Sequence, residues 1–205
     1  MGSLAKDKAE KIQGLLKENY PRIIVEKLPQ GFGKEEIEKT KISFLKIGGP
    51  FNEFGTIYRD GCQNAQMNYQ YVFVSIIEDG EVVVVGKTSF WDTRLENGNI
   101  DPNPSEKYNL GDLYRPYLKT DNATAQAIIN HYKYKNNEKN EQVTFVNQKI
   151  THAVIIPIDN SAFCTNHSKD KTHSSADQYT HEQEKIIGDL ILDKFGILNS
   201  NSHKR

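Results

Sequence analysis

Apolar and polar positions change their period several times along the chain, and each change marks an element. Between residues 3 and 19, Leu4, Ile12, Leu15 and Leu16 recur among lysines and glutamates. That spacing predicts a helix with one narrow apolar stripe, stopped by Pro21. A short apolar run, "RIIVEKL", follows, and "PQGFG" signals a turn. Residues 34–40, "KEEIEKT", read as a brief helix and "KISFLKI" as a strand. From Tyr69 a period of two takes over. "YQYVFVSII" predicts a strand, "EDG" a hairpin turn with Asp79-Gly80 suited to positive φ, and "EVVVVG" a second strand. Because that second strand is apolar on both faces, it is expected in the middle of a sheet. Thr88 or Ser89 would then cap a helix beginning near Phe90, with Asp92 in its first turn.

Past the Asn-, Pro- and Gly-rich loop "NGNIDPNPSEKYNLGD", the segment "NATAQAIINHYKYK" predicts a helix capped by Asp121 or Asn122. "EQVTFVNQ" and "THAVIIPI" read as two further strands. Residues 159–180 are polar and poor in aliphatics, the composition of a surface loop. In "HEQEKIIGDLILDKFG", Ile186, Ile187, Leu190, Ile191 and Phe195 stand at helical spacing, and Gly196 supplies the stop. The order predicts an α+β domain, with helices flanking a small mixed or antiparallel sheet. It divides into an N-terminal helical arm with weak strands (1–68), a core (69–198) and a disordered tail (199–205).

Composition narrows the class without naming a function. The chain has 205 residues, 37% hydrophobic and 26% charged, with a formal net charge of −1. That suits one domain able to bury a real core. No apolar run reaches the ~20 residues needed to span a bilayer, and the start is charged and amphipathic, unlike a secretory leader. Two cysteines, Cys62 and Cys164, make a disulfide framework unexpected and point to a reducing cytoplasm.

The stretch from Tyr71 to Arg94 raises the chemical question, because valine packing gives Tyr71, Lys87 and Arg94 no task. Hairpin, "VVG" (Val84 to Gly86) and a following arginine resemble the core of the GIY-YIG endonuclease superfamily. The resemblance covers roughly residues 69–196 and is nearest to the compact type II restriction enzymes. It implies a GIY-YIG-type sheet and Mg²⁺-dependent cleavage of double-stranded DNA. Tyr71 in "YQYVFV" would be the general base, with Tyr69 as the alternative if the register slips by two. Arg94 would clamp phosphate oxygens, and Glu184 in "EQEKIIGDLILDKFG" would be the metal ligand. The pattern departs from the family in three places, one being a hairpin a few residues longer than usual. "NYQ" stands where Gly-Ile would precede the tyrosine, and Val84 replaces the second motif tyrosine. Lys87, just past the glycine, would take the electrostatic role that lysine has in some members. The chemistry is coherent: a phenol with pKa ~10 needs a nearby cation to take a proton from water. A pentavalent phosphate needs counter-charge, and a carboxylate can hold Mg²⁺ with waters completing its shell.

Each residue also has a plainer reading. Tyr71 suits a strand aromatic packed on a neighbour, and Lys87 a solvated strand end. Arg94 could pair with Asp92 or Glu96, while Glu182 competes with Glu184. Residues 107–149 carry seven basic side chains against four acidic ones, interleaved with five tyrosines. Lys107, Arg115, Lys119, Lys133 and Lys135 are the candidate DNA contacts there. Cys164, His167 and His173 lack the paired spacing of a zinc site. Two readings compete with the restriction enzyme: a non-catalytic nucleic-acid-binding module on the same scaffold, and an unrelated interaction protein. Since one such site cuts one strand, a palindromic target would imply a homodimer or sequential nicking.

Overall fold

The computed structural model describes residues 3–28, 68–91, 120–158 and 175–200. Helix α1 (Leu4–Leu16) begins where the Ser3 side chain accepts the Lys6 amide. Its buried stripe is Ala5, Ala9, Ile12 and Leu16, one residue per turn. Two of the leucines that suggested the stripe lie outside it: Leu4 and Leu15 are exposed. Small alanines let the helix sit close to the sheet, so the contact face is less hydrophobic than the sequence suggests.

Strands β1 (Ile24–Lys27), β2 (Asn68–Ile77), β3 (Val82–Trp91) and β4 (Ile150–Pro157) form one sheet in the order β1-β4-β2-β3, every pair antiparallel. This is the flanked antiparallel sheet expected of the α+β class. The predicted N-terminal arm is joined to it, because α1 packs on the sheet and β1 pairs with β4.

Among the described residues β3 is an edge strand, not a central one. Its apolarity on both faces has another cause. Helices cover both faces of the sheet, so Val83 enters one core while Val82 and Val85 enter the other. Apolarity on both faces reports what lies above and below a strand, not what lies beside it.

The helix expected from Phe90 does not start there. β3 runs on to Trp91, with Thr88, Ser89, Phe90 and Trp91 paired to Tyr71, Gln70, Tyr69 and Asn68. β-Branched and aromatic side chains in that stretch favour extended pairing over a helix cap. At the other end of the hairpin, the Ile77 carbonyl accepts the Gly80 amide and Gly80 takes φ +87. Its backbone lies against Leu4 of α1, where a Cβ would meet the Leu4 carbonyl oxygen at 3.1 Å.

Helix α2 (Ala123–His131) is capped by Asn122, whose side chain accepts the Ala125 amide at 2.9 Å. It ends at Lys133, a non-glycine residue in the left-handed region (φ 53). The predicted strand "EQVTFVNQ" is instead helix α3 (Lys139–Lys149). Its β-branched residues weigh toward a strand. Tertiary packing overrides them: Val146 is fully buried, Phe145 stacks on Tyr134, and Gln142 binds the Asn136 carbonyl. The last helix, α4 (Ser175–Phe195), starts inside the segment read as a polar loop. It stops at Gly196, φ +73, as the sequence suggests.

The result is three layers. Leu28, Tyr71, Phe73, Ile77 and Ile155 meet α2 and α3 on one face. Val72, Val74, Ile76, Val154 and Ile156 meet α1 and α4 on the other. Beyond α4, the Leu198 and Asn199 amides donate to the Val82 and Val83 carbonyls and hold the helix end to the start of β3. No helix among the described residues is long and apolar enough to cross a membrane.

Candidate functional site

Tyr71 follows from its place in β2. Alternation sends Tyr71 and Phe73 to the α2/α3 face and Val72 to the other. Tyr71 is 1% exposed, and its ring lies 6.3 Å from that of Phe73 at 58°. It sits within the apolar core, where a phenol is shielded from the water it would have to activate.

Lys87 lies directly opposite Val72 in the β2–β3 ladder, and Tyr71 lies opposite Thr88. Directly paired residues share a face. Lys87 therefore projects to the α1/α4 side, away from Tyr71. The expected pairing, a phenol with its helper cation, is not formed: the sheet separates them. Lys87 stands three strand positions past Val84, the place of the motif tyrosine, and an odd shift exchanges the faces. Val84, which replaces the motif tyrosine, lies opposite Ser75 and shares the Tyr71 face.

Glu184 belongs to the same layer as Lys87, because α4 packs on β3 and β2. The Leu198–Val82 hydrogen bond places the C-terminal end of α4 at the start of β3. Two of the four expected catalytic residues, Lys87 and Glu184, thus belong to one layer.

The Glu184 side chain is only 12% exposed, and its Oε2 lies 2.9 Å from Nδ1 of His181, which is 68% exposed. No lysine or arginine among the described residues pairs with Glu184. No group of three or more His, Cys, Asp or Glu side chains gathers among the described residues, so a divalent cation here would have one carboxylate and one imidazole as protein donors, with water or phosphate filling the other positions.

Arg94, Lys107, Arg115 and Lys119 lie outside the described residues, as do Cys62, Cys164, His167 and His173. Comparison with known protein families, curated proteins and solved structures gives no match. The residue arrangement therefore carries the functional argument alone. Lys133 and Lys135 are exposed on the link between α2 and α3. The tyrosines interleaved with them are engaged by the fold. Tyr132 meets Phe145 edge-on at 5.7 Å, and Tyr134 stacks on the same ring at 4.0 Å.

One polar cluster escaped the sequence reading. Asp79 of the hairpin turn bonds His131 of α2 at 2.8 Å. Lys149 pairs with Glu78 and lies over the Tyr132 ring at 4.8 Å. Partial burial acts to raise the Asp79 carboxyl, but the His131 hydrogen bond and the Glu81 amide outweigh it and leave it below its usual range. The Tyr132 hydroxyl is driven well above the ordinary phenol range, first by burial and then by the charges of Asp79 and Glu78. These groups tie the hairpin tip to α2 and α3, and no sequence signal links residues so far apart. The His181-x-x-Glu184 spacing, by contrast, was readable as one helical turn.

Proposed function

We propose that this chain is a Mg²⁺-dependent endonuclease acting on double-stranded DNA, of the sequence-specific type II restriction kind. The observation that carries the reading is the secluded Glu184 carboxylate, bonded to the exposed His181 imidazole and carried on the helix layer that covers the Lys87 face of the sheet. The sequence of hairpin, helices, strand and closing helix also fits the GIY-YIG resemblance. Glu184 would hold the cation, which when bound supplies Lewis-acid stabilisation to the phosphate and leaving oxygen. Lys87 would attract the DNA backbone toward the same layer, and Arg94, by resemblance, would bridge phosphate oxygens with its planar fork. Tyr71 can serve as base only if the side chains over its ring part on DNA binding; Tyr69 is the alternative.

A specific observation favours a second reading, a non-catalytic nucleic-acid-binding module. Tyr71 is buried, faces away from Lys87 and lacks a second motif tyrosine beside it. Incubating the purified protein with supercoiled plasmid in Mg²⁺, against an EDTA control, separates the two. Discrete cutting abolished by Glu184→Gln, with gel-shift binding retained, supports the enzyme. A gel shift without cutting supports the module, and neither result leaves nucleic acid as the wrong ligand.

A further inference from the structure

We infer that His181 is a second protein ligand to the divalent cation at Glu184. This rests on the metal reading above and adds a nitrogen donor to it. The two residues stand three apart on α4, so their side chains leave the same side of the helix one turn apart. Nδ1 of His181 lies 2.9 Å from Oε2 of Glu184. That separation matches the edge of about 3 Å between adjacent donors in an octahedral shell with bonds of ~2.1 Å. Exposure is divided between them: the carboxylate is 12% exposed and the imidazole 68%. A cation arriving from solvent would meet the imidazole at the rim and the carboxylate beneath it.

As an ion pair alone, two residues at this spacing would add little to the helix. With Nδ1 as the ligand, the neutral imidazole carries its proton on Nε2. Binding then exchanges one hydrogen bond for two bonds to the cation. A mixed nitrogen and oxygen pair favours Mn²⁺, Co²⁺ or Zn²⁺ over Mg²⁺ at equal concentration, because imidazole suits those ions better.

The test is Mn²⁺ alone added to the full chain, read by electron paramagnetic resonance. The bound fraction comes from loss of the free-ion signal, and ligation from ¹⁴N modulation of the spin echo. The expected result is one bound Mn²⁺ with a ¹⁴N coupling. His181→Ala should remove that coupling and weaken binding at least about tenfold, with the circular dichroism unchanged. Bound Mn²⁺ without a ¹⁴N coupling, or with one that survives His181→Ala, overturns the role of His181 and leaves Glu184 standing. No binding up to millimolar Mn²⁺, or binding unaffected by Glu184→Gln, overturns the metal site altogether.

Discussion

Gly86 ends the stretch that resembles the second GIY-YIG motif, and substitution there should show whether packing alone calls for a glycine. It lies opposite Phe73 in the ladder, and the Phe73 ring crosses over it. A Cβ at residue 86 would stand 2.7 Å from Cζ of Phe73 and 3.1 Å from Cε1. The ring is 1% exposed, with Tyr71 beside it, so it has little room to retreat. Two effects oppose each other in Gly86→Ala. Restricting the unfolded chain stabilises by ~0.4–1 kcal/mol, since the backbone here is not in the left-handed region. Overpacking a filled core costs ~1–3 kcal/mol. The clash is with the stiff edge of an aromatic ring, so the second effect should win, leaving a net loss of about 1–2 kcal/mol. Urea unfolding followed by circular dichroism measures it. Phe73→Leu should relieve the clash, so the double variant should lose at least ~1 kcal/mol less than the sum of the single losses. Gly86→Ala as stable as the parent, or strict additivity, would refute the argument and return Gly86 to a purely functional role.

His152 should make stability depend on pH. It lies on β4 opposite Lys27 and Ile76, facing α1, and burial first, then the charges of Lys27 and Lys6, hold its imidazole below the usual range, with Glu10 opposing. As pH falls through ~6.5 the unfolded chain takes up a proton that the folded chain resists, so stability declines from there toward the lower folded value and is unaffected above it. Urea midpoints at pH 8, 7, 6 and 5 should show that slope in the parent and a shallower one in His152→Gln; equal slopes exclude it. Asn122→Ala should cost ~1 kcal/mol by removing the acceptor for the Ala125 amide, and Asn122→Asp should restore most of the loss in the same assay.

Strong local patterns were legible in the sequence. The β2–β3 hairpin, the Asn122 cap, β4 and the Gly196 stop stand where the residues indicate, because each depends on near neighbours. Distant neighbours decided the rest. α3 carries strand-favouring residues and is helical because Phe145 and Val146 find Tyr134 and the α2/α3 core. β3 extends past its predicted end because Asn68–Tyr71 are there to pair with it. For the site, residue types and chain order suggested Tyr71, Lys87 and Glu184 without saying on which face each would lie. Strand register decides that. It puts Lys87 on the face that α1 and α4 cover and leaves Tyr71 on the other.

The interleaved strand order also sets a timetable for synthesis. β2 and β3 are contiguous and can close their hairpin as soon as both have emerged. The opening strand has no described neighbour except β4, and Ile24 meets Ile155, about 130 residues later. At ~5–20 residues per second of translation, α1 and β1 wait roughly 7–25 s with their apolar sides uncovered. During that interval this stretch is the natural client for a holding chaperone, and the last strand is the keystone that admits both halves to one sheet.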